Sequence, residues 1–455
     1  MSTPRQYDVT AEIDARPLGR YQILLFLLCG FIIGLDGFDI QVVSFTAPLL
    51  ANHIDIPVTS LGPVFSAGLT GLMIGSFVIS PFGDRFGRKR LIQIACVIFG
   101  VFTIATAYAD TLTTLMVIRF LAGLGLGGCI PNALALAAEF APRHVKTKVV
   151  TIVVSATPLG AALGGVACGL LTPGGQWRTV YWIGGLLPLV GGIALTWLLP
   201  ESIRFMVAAN ESADKVLAVL RRLAPDLSVQ PDVRFVRHEE ISRGVPVQHL
   251  FSNGYAERTL LLWVPYLMVF LISFLLSSWL PAVLKGAGVP LSQAMLVLVV
   301  FNLGGFIGAV VLGKFIEWLG VYPTLTAAYL LCALSVMALG QVATQYWGAL
   351  TVIVVIGVCI QGTICCLYAL ASSVYPIKLR ATGIGWASGA GRLGAIFGPL
   401  WGGAMLQFGW DMKLIFGSAA IPALISILAL LRLSTVSRRV GMEEDGDAGR
   451  QTLRA

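Results

Sequence analysis

Charged side chains are scarce in this chain of 455 residues. Asp, Glu, Lys and Arg together make up only 12% of it, whereas hydrophobic residues make up 56%. A soluble domain has about twice that charged share, roughly 25%. This shortage argues against a water-soluble fold and favours a protein whose surface mostly meets lipid.

Polar linkers are scarce as well, since apolar segments follow one another with short breaks between them. Each segment is long enough to cross about 30 Å of hydrocarbon as a helix. The spans are predicted at 21–50, 59–82, 91–109, 113–140, 149–171, 179–199, 259–284, 291–316, 322–341, 346–374, 381–407 and 412–432.

We therefore predict an all-α integral membrane protein with twelve transmembrane helices. The one long interruption is rich in charge and proline and divides the spans six plus six. The predicted organisation is an N-terminal tail at 1–20, a six-helix bundle at 21–200, a linker at 201–258, a second six-helix bundle at 259–433 and a C-terminal tail at 434–455.

The chain lacks the side-chain clusters that metal, disulfide or catalytic chemistry requires. Its eight cysteines all fall inside predicted spans, where they are best interpreted as small packing residues. Its four histidines lie in loops with no nucleophile at motif spacing. No nucleotide-binding motif is present, which argues against ATP-driven transport. We expect no enzyme activity, no metal and no cofactor.

The positive charge lies almost entirely on one side of the predicted membrane. Of the 31 Lys and Arg residues, the loops of the opposite side hold only Arg178, Lys285 and Lys413. Because cytoplasmic loops carry the excess of Lys and Arg, both termini are predicted to be cytoplasmic. The net charge of +8 thus reflects membrane topology, and nucleic-acid binding is not expected.

Two aspartates, Asp36 and Asp39, lie in the middle of the first span, on one face of the helix. A carboxylate inside the bilayer is costly, so such residues usually mark an ion or substrate pathway. Arg119, in the fourth span, lies at a depth comparable with Asp39, and we expect the two to pair. The alternative is a structural role, in which the aspartates cap or kink the helix at Gly37.

A second arginine, Arg392, lies near the middle of the eleventh span. An isolated guanidinium there would be costly, and its natural ligand is a carboxylate bound through two hydrogen bonds. The alternative is that Arg392 pairs permanently with carbonyl groups of the protein.

An internal repeat relates the two halves. Asp84 and Gly87 after the second span correspond to Glu317 and Gly320 after the eighth, at an offset of 233. Gly160 in the fifth span corresponds to Gly394 in the eleventh, at an offset of 234. Two parallel halves of six spans, with the substrate site between them at mid-membrane, are a known transporter design.

Several motifs resemble those of the major facilitator superfamily. The loop 84–90, Asp-Arg-Phe-Gly-Arg-Lys-Arg, is similar to the signature between its second and third helices. The segment 119–127, Arg-x-x-x-Gly-x-x-x-Gly, and the segment 200–205, Pro-Glu-Ser-x-Arg-Phe, share the likeness. The first glycine of the loop signature is replaced by Ser80, although a glycine recurs at Gly313 in the second half.

Other motifs narrow the resemblance to the aromatic acid:proton symporter branch. They are 36–39 (Asp-Gly-Phe-Asp), 131–133 (Pro-Asn-Ala), 375–383 and 391–398. In the tenth span, Ile364 and Tyr368 stand where this branch often has Gln and Asn, so the motifs do not name the acid.

The resemblance implies import of a benzoate-like or hydroxybenzoate-like acid with protons, by alternating access. It places a multi-pass protein in the bacterial inner membrane, acting as a monomer. Two alternatives stay open: a transporter of another organic acid or a drug exporter, and a membrane sensor that does not transport.

Three groups of candidate residues follow. The proton-coupling group comprises Asp36, Asp39 and Arg119. The substrate-binding group, in which aromatic side chains would stack on the ring of the acid, comprises Arg392, Phe38, Tyr368, Trp279 and Asn132. The third group, expected to act as a conformational gate, comprises Asp84, Arg85, Gly87, Arg88, Glu139, Glu201, Arg204, Glu317 and Arg380.

Overall fold

A computed structural model gives the architecture of most of the chain. It describes residues 5–14, 16–172, 176–209, 211–223, 233–236, 247–252, 254–286, 288–342 and 345–452. Much of the predicted linker, including 224–232 and 237–246, lies outside the described residues.

The chain divides into two compact units. The first comprises Met1–Ile54 and Ala67–Ile241, and the second comprises Asp55–Ser66 and Ser242–Ala455. Long apolar runs form helices because a helix satisfies every backbone hydrogen bond within its own segment, which lipid requires.

The helices up to the linker are, in chain order, α1 (Val9–Asp14), α2 (Arg20–Ile54), α3 (Gly62–Val78), α4 (Phe82–Phe86), α5 (Arg88–Thr106), α6 (Leu112–Phe140), α7 (Lys146–Val154), α8 (Ala156–Leu171), α9 (Trp177–Leu198), α10 (Ile203–Ala208) and α11 (Ala213–Leu223). A 3₁₀ turn, Val58–Leu61, precedes α3.

The helices after the linker are α12 (Tyr255–Gly286), α13 (Leu291–Leu319), α14 (Val321–Val342), α15 (Tyr346–Val374), α16 (Ile377–Gln407), α17 (Met412–Ser418) and α18 (Ala420–Thr452). A 3₁₀ turn, Val247–Leu250, precedes α12. The helix α18 continues well past 432, where the last span was predicted to end.

The predicted all-α membrane fold with twelve spans is confirmed. Within the described residues, eleven helical segments are long and apolar enough to cross a membrane. The remaining predicted span, the eleventh in chain order, is α16. It is 31 residues long but less apolar, because it carries many glycines and Arg392. The fifth span consists of α7 and α8, which meet at Ser155.

The strands that the structure describes are both short and belong to the first unit. β1 (Arg5–Asp8) in the N-terminal tail pairs in parallel with β2 (Val233–Val236) in the linker. The register places Arg5 opposite Val233 and Asp8 opposite Val236. This pairing ties the tail to the linker outside the membrane helices, and the hydropathy pattern did not predict it.

The internal repeat reappears in the packing of helices. α8 lies against α2 so closely that a Cβ added at Gly160 would overlap the carbonyl of Gly34. α16 lies against α12 in the same way, and a Cβ at Gly394 would overlap the carbonyl of Leu267. Small residues let membrane helices approach closely, and both units use them at the corresponding contact.

Candidate functional site

The two aspartates of α2 are buried inside the first unit. Asp39 is 1% exposed and Asp36 is 7% exposed. The helix runs unbroken from Arg20 to Ile54, so neither aspartate caps a helix. Gly37 between them lies where α2 meets the backbone of Thr157 on α8, and a side chain there would overlap it.

Asp39 forms a bidentate ion pair with Arg119 of α6. Arg119 Nη1 donates to Asp39 Oδ1 at 3.0 Å, and Nη2 donates to Oδ2. Arg119 is itself only 4% exposed. A charge this deeply buried persists only when it is paired and hydrogen-bonded, and the fork of the guanidinium matches a carboxylate in both respects.

Thr103 of α5 completes the surroundings of this pair. Its hydroxyl donates to Asp39 Oδ1 at 3.3 Å, and its side chain is buried. The site therefore joins three helices, α2, α5 and α6. Sequence reasoning missed Thr103, because a lone threonine in an apolar span gives no signal of the direction in which it points.

A second polar cluster, which we call the loop network, surrounds the 84–90 loop. Arg88 Nη2 donates to Asp84 Oδ1 at 3.0 Å, and Arg88 Nη1 donates to Glu139 Oε2 at 3.3 Å. Glu139 is buried and accepts further hydrogen bonds from Ser202 Oγ at 2.7 Å and from the backbone N–H of Arg204 at 2.7 Å. The network links α4, α5, α6 and the start of α10.

Glu201 holds the start of α5. Its Oε1 accepts the backbone N–H of Lys89 at 3.0 Å and that of Ser202 at 2.9 Å. Gly87, at φ +99°, lies beside it, and a Cβ there would come within 2.5 Å of Glu201 Oε2. Only glycine fits this backbone conformation and this spacing. Arg85 lies over the ring of Phe86, 5.5 Å from its centroid.

The corresponding residues of the second unit are arranged differently. Glu317, which repeats Asp84, is exposed near the end of α13, and Arg380 is exposed in the first turns of α16. Gly320 repeats the positive φ of Gly87, at +86°, but a Cβ there would meet nothing within 4 Å.

Three of the predicted substrate-binding residues have other contacts in this structure. The ring of Phe38 is buried against Gly164 and Gly184, inside the first unit. The amide of Asn132 donates to the carbonyls of Gly128 at 2.9 Å and Ser80 at 3.2 Å, so this side chain holds the backbone between α3 and α4.

Trp279 likewise has a packing role. Its Nε1 donates to the carbonyl of Pro399 at 2.8 Å, and its ring meets that of Phe65 edge to face, with centroids 5.5 Å apart. The backbone at Gly402 and Gly403 covers the ring further. With a buried ring and a satisfied N–H, Trp279 has no free face for stacking on an aromatic acid.

Tyr368 and Arg392 differ from these three in that neither side chain is fully buried. Tyr368 of α15 is 41% exposed, and its hydroxyl lies 3.3 Å from Ser388 Oγ of α16. Arg392 is half-buried one helical turn after Ser388, so both face the same side of α16.

The described residues contain no group of three or more His, Cys, Asp and Glu side chains placed to hold a metal ion.

Comparison with known proteins identifies the architecture. Residues 29–399 match the Major Facilitator Superfamily. The chain is similar in fold to the xylose transporter XylE from E. coli in its partially occluded inward-open conformation, with a TM-score of 0.72 and 17% identity, covering 91% of this chain and 99% of that one.

Curated relatives extend the similarity over nearly the whole length. The 4-hydroxybenzoate transporter PcaK of Pseudomonas aeruginosa is 36% identical over 431 residues, which cover 94% of this chain and 96% of that protein. A gallate transporter of Pseudomonas putida is 36% identical over 425 residues, covering 93% and 94%. The chain therefore belongs to the Major Facilitator Superfamily, in the aromatic acid transporter family that its motifs predicted, and is a multi-pass inner-membrane transporter and not an enzyme.

Proposed function

We propose that this protein imports an aromatic carboxylate, benzoate-like or hydroxybenzoate-like, together with protons. The proposal is carried by the buried Asp39–Arg119 pair, a titratable ion pair inside the membrane part of a chain whose relatives are named as carriers of 4-hydroxybenzoate and gallate. Coupling to protons needs a group that can bind and release a proton as the protein alternates between its two faces, and we assign that role to this pair.

Proton coupling is assigned to Asp39, with Asp36 as the alternative. Arg119 stabilises the ionised form of Asp39 while the two are in contact. When a conformational change separates them, an unpaired carboxylate inside the membrane is costly, so Asp39 takes up a proton. Closing the pair again expels that proton. Asp36, one turn away, adds negative charge and favours protonation of one of the two acids.

Substrate binding is assigned to Arg392 in the second unit. A guanidinium binds a carboxylate through two parallel hydrogen bonds, which gives both affinity and orientation. Tyr368 beside it offers an exposed ring face on which an aromatic acid can stack. Phe38, Trp279 and Asn132 are left out of this assignment because their side chains are occupied by packing or by backbone contacts.

The loop network is proposed to act as the gate on the cytoplasmic side. Asp84, Arg88 and Glu139 join separate helices through charged hydrogen bonds, and such contacts stabilise one conformation over another. In the second unit, Glu317 at the repeat of Asp84 and Arg380 in the first turns of α16 are proposed to carry charges of the same gate. The protein is proposed to work as a monomer, because each six-helix unit brings its own polar cluster.

Both termini are proposed to be cytoplasmic, as the distribution of Lys and Arg predicts. A reporter that is active only in the periplasm should be silent when fused after Arg439 and active when fused after Asp110. The reverse pattern would contradict the orientation.

The test of transport is uptake by proteoliposomes. Labelled 4-hydroxybenzoate or benzoate should accumulate when an inward proton gradient is imposed and should only equilibrate without one. Export driven by the opposite gradient would support a drug exporter, and binding without movement of the label would support a sensor.

The test of coupling compares two variants of the same vesicles. Asp39→Asn should lose proton-driven accumulation and keep exchange of labelled for unlabelled acid, because exchange needs no net proton movement. Asp36→Asn tests the alternative acid one helical turn away. Full accumulation in both variants would remove these aspartates from the coupling site, and Glu139 would then be the next acid to examine.

A further inference from the structure

One buried hydroxyl in the second unit is left without a hydrogen bond. Tyr266 of α12 is 0% exposed, and its hydroxyl oxygen has no hydrogen-bond partner among the described residues. Buried polar groups are nearly always paired, so an exception usually marks a functional site or an absent ligand or water.

The neighbouring buried tyrosines show that this unit can satisfy such groups. The hydroxyl of Tyr329 donates to the carbonyl of Pro265 at 2.6 Å, next to Tyr266 in sequence. The hydroxyl of Tyr375 donates to Thr259 Oγ1 at 3.2 Å. Among these tyrosines the unpaired state is particular to Tyr266, although Arg258 Nε and Trp263 Nε1 on the same helix are also buried without a hydrogen bond among the described residues.

The ring of Tyr368 covers Tyr266. The two rings meet edge to face, with centroids 5.8 Å apart and planes at 86°. Tyr368 is the partly exposed member of the pair, held through its hydroxyl by a contact of 3.3 Å with Ser388. That contact is long for an O–H···O hydrogen bond, so Tyr368 can turn aside at little cost and uncover the hydroxyl of Tyr266.

Arg392 lies on the same face of α16 as Ser388. The two residues are four apart, about 6 Å along the helix axis. A ligand whose carboxylate is held by the guanidinium of Arg392 can therefore extend along this face toward Ser388. α12, α15 and α16 pack against one another in the second unit, so these side chains converge.

We propose that Tyr266, Tyr368 and Ser388 form a subsite for the ring hydroxyl of a hydroxylated aromatic acid whose carboxylate is bound by Arg392. The inference rests on the proposed import of aromatic carboxylates and adds which ring substituent is recognised. The substrate hydroxyl pairs with the hydroxyl of Tyr266, and Tyr368 moves to stack on the ring. An acid without a hydroxyl leaves Tyr266 unpaired, and a site built around a hydroxyl discriminates against such an analogue.

The test measures KM for 4-hydroxybenzoate and for benzoate in proteoliposomes containing the unmodified protein or Tyr266→Phe. This substitution removes one oxygen and keeps the ring. The KM for 4-hydroxybenzoate should rise roughly fivefold, as expected for one lost hydrogen bond, while the KM for benzoate stays unchanged or falls. Continued uptake of benzoate shows that the variant is folded.

Tyr329→Phe is the matched control, because it removes a buried hydroxyl that is bonded to the backbone of α12, the helix that carries Tyr266. It should leave the ratio of the two KM values unchanged. Ser388→Ala should change that ratio in the same direction as Tyr266→Phe.

Two failures are distinguishable. Uptake of neither acid by the unmodified protein would overturn the proposed function and this inference with it. Uptake of both acids with an unaltered KM ratio in Tyr266→Phe would overturn the hydroxyl subsite alone and leave aromatic acid import standing.

Discussion

The two units bury different kinds of polar group, although their helices repeat one another. Among the side chains that the structure describes, the buried charged residues all belong to the first unit: Asp36, Asp39, Arg119 and Glu139. Both units bury serine, threonine and tyrosine hydroxyls, so what distinguishes the second unit is that none of its described charged side chains is buried. A buried charge needs an opposite charge, whereas a hydroxyl needs only one neutral partner. We propose that this difference assigns charge movement to one half and recognition of a neutral substituent to the other.

The loops that connect the second and third helices of each unit differ in whether their acidic residue is paired with neighbouring side chains. Asp84 belongs to a network that reaches Glu139 through Arg88, whereas Glu317 at the repeated position is exposed. A repeated sequence motif therefore does not imply repeated energetics. The first loop is restrained by neighbouring helices, and in the second the acid lies in the open. Four pairs of substitutions test this contrast, and each pair compares one variant with a control variant.

The largest effect is expected for Arg119→Ala. Removing one partner of a buried ion pair costs about 3–5 kcal/mol, because the remaining charge is left unpaired. Thermal unfolding of the purified protein in detergent should show this loss. Arg392→Ala, at a half-buried position in the second unit, is the control and should lose less.

Equal losses in Arg119→Ala and Arg392→Ala would contradict the contrast between the two units.

A smaller effect is expected for Glu139→Gln. The carboxylate accepts hydrogen bonds from Ser202, the backbone of Arg204 and Arg88, and hydrogen bonds to charged groups contribute about 1.5–3 kcal/mol. We expect a loss of about 2 kcal/mol in thermal unfolding. Glu317→Gln, at an exposed position, should change stability by less than about 0.5 kcal/mol. Similar losses in both variants would show that the two loops are equally restrained.

Arg392→Lys should weaken substrate binding without destabilising the fold. Lysine keeps the positive charge but loses the planar fork that binds both carboxylate oxygens. The KM for an aromatic acid should rise about tenfold, equivalent to 1.4 kcal/mol. Arg432→Lys, at an exposed position of α18 outside the proposed sites, should leave the KM unchanged. An unchanged KM in Arg392→Lys would remove this residue from the substrate site.

The smallest expected effect is a difference in stability between two glycine variants. Gly87→Ala and Gly320→Ala both place a side chain at positive φ, a strain of roughly 1–3 kcal/mol each. Only at Gly87 must Glu201 also move, weakening its backbone hydrogen bonds by about 1 kcal/mol more. Unfolding of the two variants side by side measures this difference, and a larger loss in Gly320→Ala would count against the restraint assigned to the first loop.

Much of the site could be predicted because the membrane limits what a polar residue can do. Asp39 and Arg119 lie at comparable depths in apolar spans, so their pairing followed from the cost of leaving either charge alone. Arg88 was likewise expected to pair with acids near its own end of the helices, and it lies between Asp84 and Glu139.

Other residues were expected in the wrong surroundings or were missed. Asn132 and Trp279 looked like ligand-binding residues, yet backbone carbonyls at Gly128 and Pro399 accept their N–H groups. Thr103 and Tyr266 gave no signal, because a hydroxyl in an apolar span is common and its direction is not encoded locally.

The sequence by itself determined that the chain crosses the membrane, how many times, and at what depth each charge lies. These properties depend on segment length and local hydropathy, which lipid enforces one helix at a time. Only the tertiary structure decided which partner each polar group has. That choice depends on how far each helix is rotated about its axis and on how closely glycines such as Gly37 and Gly160 let its neighbours approach. Asp39 gained Thr103 as well as Arg119 through this packing, and Tyr266 was left with an unpaired hydroxyl.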